Sequence, residues 1–92
     1  MSNTFILIAI KAPGEGATIE PVYRDNVSRV VGGEVLAAPY APGERDLCFV
    51  MSRERGFAGT VCVCTKQADG SFGGVPPARM VEAMARLDRA QW

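Results

Sequence analysis

Apolar residues along this chain come in short runs with a period near two, separated by Pro-Gly and Gly-Gly punctuation, and one late segment switches to helical spacing. The first run, Phe5 to Ile10, is apolar at every position and reads as a strand covered on both faces. It ends at Ala12-Pro13-Gly14-Glu15, where Pro followed by Gly predicts a type II turn and hence a hairpin. Thr18 to Tyr23 alternates but holds Pro21, which has no N–H to give a ladder, so this strand is placed at a sheet edge, where a partner's strand has room to dock. A short helix is expected over Asn26 to Val31, with Asp25 accepting from its free amides, Val27, Val30 and Val31 on one face, and Gly32 as a left-handed cap. Three valines in so short a segment make a weak intrinsic helix, so packing has to hold it.

After Gly32-Gly33 the period returns to two. Glu34 to Tyr40 reads as a strand, closed by a second A-P-G-E turn at Ala41 to Glu44. Leu47 to Met51 and Gly59 to Thr65 make a hairpin around Ser52-Arg53-Glu54-Arg55-Gly56, with Gly56 taking positive φ and Gly59 marking a bulge. The polar stretch from Lys66 to Gly74 reads as a connection. Pro76-Pro77 then suits a helix's first turn, and Met80, Val81, Met84 and Leu87 predict its buried stripe, with Glu82 and Arg86 paired on the wet side. The order is strand, strand, helix, three strands, helix. It predicts one α+β domain: a mostly antiparallel sheet of four to five strands, with both helices on one face.

Composition sets limits on function. At 92 residues, about 60–65% of the unfolded surface can be buried, enough for one core. Ten basic and ten acidic residues cancel, so no overall field draws the chain to a phosphate backbone or an anionic membrane. The longest apolar run is far short of the about 20 residues of a membrane helix, and no basic segment precedes it as in a signal peptide, so a cytoplasmic address is expected.

Chemistry is sparse. Histidine is absent, and the three cysteines are Cys48, Cys62 and Cys64. Alternation puts Cys62 and Cys64 on one strand face, where they read either as a thiolate or metal pair or as small buried apolar groups; a zinc site wants four ligands, which favours burial. Without histidine, a nucleophile's base would have to be Lys11, Lys66 or a carboxylate. Glu15, Glu20, Glu34, Glu44 and Asp46 all sit at turns or strand ends, as solubilising charge does. Gly14-Glu15-Gly16 lacks the third glycine and the β-α-β frame of a dinucleotide site. No enzyme, cofactor or metal is expected. For a partner, the candidate contacts are Arg53, Glu54 and Arg55 at a hairpin tip, Tyr40 at a strand end, and Trp92. The competing readings are a solvated loop for the charges, and packing into the core or its rim for Tyr40, Tyr23 and Trp92.

With Pro13-Gly14, Val31-Gly32-Gly33, Gly59-Thr60-Val61-Cys62-Val63 and the stripe from Met80 to Leu87 in place, the chain resembles a family of small domains encoded by phages and plasmids. That resemblance implies the company of mobile genetic elements and brings no catalytic residues with it. In size, neutral charge and composition the chain is also similar to anti-CRISPR inhibitors. The function expected is a non-catalytic accessory protein, a monomer or small homo-oligomer, that binds and inhibits a host protein complex such as a CRISPR effector. The alternative is a module that sequesters a nucleotide signal at a homo-oligomer interface. A third reading, nucleic-acid binding through Arg53, Arg55 and Arg79, runs against the neutral charge.

Overall fold

A computed structural model describes residues 4–89. The strands are β1 (Phe5–Lys11), β2 (Thr18–Tyr23), β3 (Val35–Pro39), β4 (Leu47–Ser52), β5 (Val61–Lys66) and β6 (Phe72–Gly73), and the helices are α1 (Val27–Val31) and α2 (Met80–Arg89). They form an α+β domain around one sheet of order β2-β1-β5-β4-β3, with β6 also on β5, and every pairing is antiparallel. No described helix is long and apolar enough to cross a membrane.

Both Pro-Gly turns form as their residues dictate. Glu15 N–H donates to Ala12 O and Glu44 N–H to Ala41 O, each at 3.1 Å, with Gly14 and Gly43 both at φ 79°. Gly32, at φ 90°, ends α1, and Gly32 and Gly33 both return their N–H to Ser28 O. Asp25, expected as the cap, lies instead inside a 3-10 turn, Arg24–Asn26, and no side chain caps the helix.

The two helices take opposite faces of the sheet rather than one. Alternation forces this, because both faces of β1, β4 and β5 carry apolar residues. Val27 and Val31 of α1 pack with Ile6, Ile8, Val50, Cys62 and Cys64. Ala83 and Leu87 of α2 pack with Ala9, Phe49, Met51, Val61 and Val63. The stripe on α2 is therefore Met80, Ala83, Met84 and Leu87, while Val81 points outward at 76% exposure. One step along a helix turns a side chain by about 100°, and small Ala83 carries the face that Val81 cannot reach.

The polar stretch after β5 contains the sixth strand. Asp69-Gly70, with Gly70 at φ 89°, turns the chain so that Gln67 N–H reaches Ser71 O at 2.8 Å. Phe72–Gly73 then lies beside Thr65 and Lys66, and Val75 N–H continues to Leu7 O at 2.8 Å. The segment is wedged between the far end of β5 and the start of β1. Gly59 makes no bulge; its N–H closes a 3-10 turn over Gly56–Ala58, and β5 begins after it.

Candidate functional site

The densest polar cluster joins α2 to the connection between β3 and β4. Arg79 lies just before α2, and its guanidinium makes two bonds to Glu44 (2.8 and 3.0 Å) and two to Glu82 (2.7 and 3.1 Å). Glu44 also accepts the N–H of Asp46 and of Leu47, at 3.0 and 3.1 Å. The Tyr40 hydroxyl donates to Glu82 at 3.0 Å, and Arg86 donates twice to Tyr40 O. Both guanidinium groups lie within 6 Å of the Tyr40 ring centre, at 5.9 and 5.7 Å.

Arg79, Glu44 and Glu82 spend their charges on one another, and Arg86 spends its donors on a carbonyl. The Arg79 guanidinium and two backbone N–H groups hold Glu44 down to about 2. Arg79, then the Tyr40 hydroxyl, lowers Glu82. Burial and the neighbouring Glu82 carboxylate push Tyr40 up to about 12, so its phenol stays protonated. Such a cluster fixes a helix to a loop; it holds neither a base poised near neutrality nor a depressed hydroxyl. The expected Glu82–Arg86 pair does not form, because Arg79 and the carbonyl of Tyr40 offer both groups better partners.

Of the sequence's candidates for a partner, Tyr40 is buried, its ring centre 5.4 Å from that of Phe49. Arg53, Glu54 and Arg55 are exposed at the β4–β5 hairpin. Ser52 Oγ accepts the N–H of Glu54 and of Arg55, while Arg53 stands 3.7 Å from Glu34 in an ion pair exposed on both sides. The hairpin tip thus holds its backbone firmly and leaves its charged ends in water. Trp92 lies outside the described residues. Arg79, grouped with Arg53 and Arg55 in the nucleic-acid reading, is engaged by two carboxylates.

Cys62 and Cys64 are buried among apolar neighbours, and Cys48 is half-buried beside them. Cys62 and Cys64 face α1, Cys48 stands opposite Cys64 on β4, and all three are free. Burial raises all three, Cys62 to about 12, so they are poor nucleophiles at neutral pH. Among the described residues, no group of three or more Cys, Asp or Glu is arranged to hold a metal ion. Lys11 is buried at the end of β1, and its ammonium donates to Glu15 O across the first turn.

What sequence reasoning missed is an apolar corner. Helix α2 runs diagonally, from the β3–β4 connection, where Arg79 meets Glu44, to the β1–β2 turn, where Asp88 accepts Ala17 N–H at 3.0 Å. One sheet corner off that diagonal is screened by Phe57, edge-on to Phe49 at 5.4 Å. Among the described residues, the opposite corner has no such screen. There Phe5 (58% exposed), Leu7 (44%) and Tyr23 (38%) lie beside Pro21 in cross-strand register, Phe5 against Tyr23 and Leu7 against Pro21. The rings of Phe5 and Tyr23 stack at 4.0 Å. Closeness is expected, since these are non-hydrogen-bonded pairs, whose side chains approach most nearly. A shallow groove of about 340 Å³ continues from Phe5 and Tyr23 around the edge of β2 to Asn26, Arg29 and Val30.

Compared with protein-family models, curated proteins and solved structures, the chain matches none.

Proposed function

We propose that this chain is a non-catalytic binding protein that inhibits a host protein complex by covering part of its surface. The observation that carries the reading is the corner of Phe5, Leu7, Pro21 and Tyr23, an apolar patch built on a rigid sheet and left uncovered by α2. Stacked aromatic rings held by strand pairing lose little freedom on binding, which makes them efficient anchors. Arg29 at the neighbouring groove adds a donor for the polar rim that surrounds such anchors. A standard interface buries about 800 Å² on each partner, and the corner with its groove supplies the centre of one.

The similarity in size and composition to anti-CRISPR inhibitors makes a CRISPR effector the first partner to try. Purified effector complex mixed with the chain is expected to co-elute with it and to lose target binding or cleavage. Leu7→Lys and Tyr23→Ser are expected to weaken that association at least about tenfold, with melting temperature little changed. Full effector activity in the presence of excess wild-type chain rules out this partner. An association that both variants leave intact rules out this corner.

A further inference from the structure

Independently of that reading, the two edges of the sheet differ in a way that bears on self-association. Strand β2 is one edge and β3 the other. Arg24 N–H donates to Thr4 O at 2.9 Å, so 4 and 24 are a hydrogen-bonded pair, and alternation turns the backbone groups of Ile19, Pro21 and Tyr23 away from β1. The centre of that outward row is Pro21, which has no N–H, and Glu20 adds charge beside it. The room for a partner's strand expected here from the sequence is therefore not offered: Pro21 blunts this edge against further pairing.

Strand β3 has no such protection at its centre. Arg53 N–H donates to Glu34 O at 2.8 Å, so 34 and 53 are a bonded pair; Leu36 and Ala38 then bond to β4, and Val35, Ala37 and Pro39 turn outward. Among the described residues, no backbone acceptor in a turn or loop takes the N–H of Val35 or Ala37. Val-Leu-Ala-Ala-Pro carries no charge, and Leu36 and Ala37 are exposed.

We infer that β3 is a dimerisation edge that pairs antiparallel with β3 of a second copy of this chain, making one continuous sheet across a two-fold axis at Ala37. The strand is complementary to itself in that arrangement. Each Ala37 N–H meets the Ala37 carbonyl of the other copy, and each Val35 N–H meets a Pro39 carbonyl, giving four hydrogen bonds. Pro39, with no N–H, stands at the end of the ladder, where its missing donor does least harm. On the α2 face, each exposed Leu36 lies opposite the small Ala38 of the other copy and fills the space it leaves; on the other face, Ala37 meets Ala37 and Val35 meets Pro39. No like charges oppose one another within the paired strands, and a chain of zero net charge is not repelled by its copy. The assembly closes at two, because both outer edges are then β2 with its Pro21.

Light scattering on the full chain, eluted from a sizing column at about millimolar loading, tests this. The wild type is expected at the mass of two 9.8 kDa copies. Ala37→Pro removes one outward N–H, leaves every bond to β4 in place, and is expected at the mass of one copy with unchanged circular dichroism. Ala37→Lys, which sets two ammonium groups face to face at the axis, is expected to do the same without constraining the backbone. A one-copy mass for the wild type, a mass above two copies, or a two-copy mass retained by both variants overturns the proposal. None of these results bears on whether the Phe5–Tyr23 corner binds a partner.

Discussion

Arg79 shows how one residue can take several roles out of circulation. By bridging Glu44 and Glu82 it removes three charges from the set available for chemistry and uses them to dock α2. The consequence is readable in acid. Glu44 is held at about 2 in the folded chain against an ordinary 4.5, so its contribution is complete above pH 4.5 and is lost as pH falls from there toward 2. Melting temperature measured across that window is expected to fall less steeply for Glu44→Gln, which starts lower at neutral pH. Tyr40 gives the alkaline counterpart. Held neutral up to about 12 against an ordinary 10.0, it stabilises the fold below pH 10 and ceases to as pH rises from 10 to 12. Tyr40→Phe keeps the ring and loses the bond to Glu82, for an expected cost of about 1–2 kcal/mol in urea unfolding. The thiols supply a third check: Cys62 and Cys64, with side chains sealed under α1, are expected to resist a thiol reagent in the native state and to react fully in denaturant.

At the scale of elements, the legible parts of the fold were those set by local chemistry. Pro13-Gly14, Pro42-Gly43 and Gly32 each specify a backbone conformation that neighbours cannot override, and all three formed as read. Pro21 likewise placed β2 at an edge, because a missing donor is a property of one residue. What was not legible depended on the sheet as a whole. Which face each helix takes is decided by which strand face still needs covering, and β4 and β5 are apolar on both. The two-residue β6 carries no periodicity, though Asp69-Gly70 was a hairpin signal inside the polar run. The bare corner follows from the diagonal path of α2, and nothing in the spacing of Phe5, Leu7 and Tyr23 separates exposed apolar positions from covered ones. The β6 wedge makes its own prediction. A Cβ on Gly74 would stand 3.1 Å from both the N and O of Leu7, backbone atoms that cannot swing aside. Gly74→Ala is therefore expected to destabilise the domain by about 1–3 kcal/mol in chemical unfolding. Leu87→Ala, which opens a cavity between α2 and the sheet, is expected to cost about 2–5 kcal/mol.

Across the whole molecule, two arrangements matter among the described residues: Arg79, Glu44 and Glu82 are turned on one another, while Phe5, Leu7 and Tyr23 gather at one sheet corner. The first arrangement fixes α2 to the β3–β4 connection in a chain of modest length. On the function proposed above, the second is the face with which that chain binds. Large exposed apolar patches rimmed by polar residues mark interaction sites. The measurement that bears most directly on the account is affinity capture from cells that carry a CRISPR system, with tagged wild type compared against Leu7→Lys at equal loading and equal melting temperature. A protein complex enriched by the wild type and lost with Leu7→Lys is the predicted result. Enrichment of no complex, or equal recovery of the same complex by both, contradicts it.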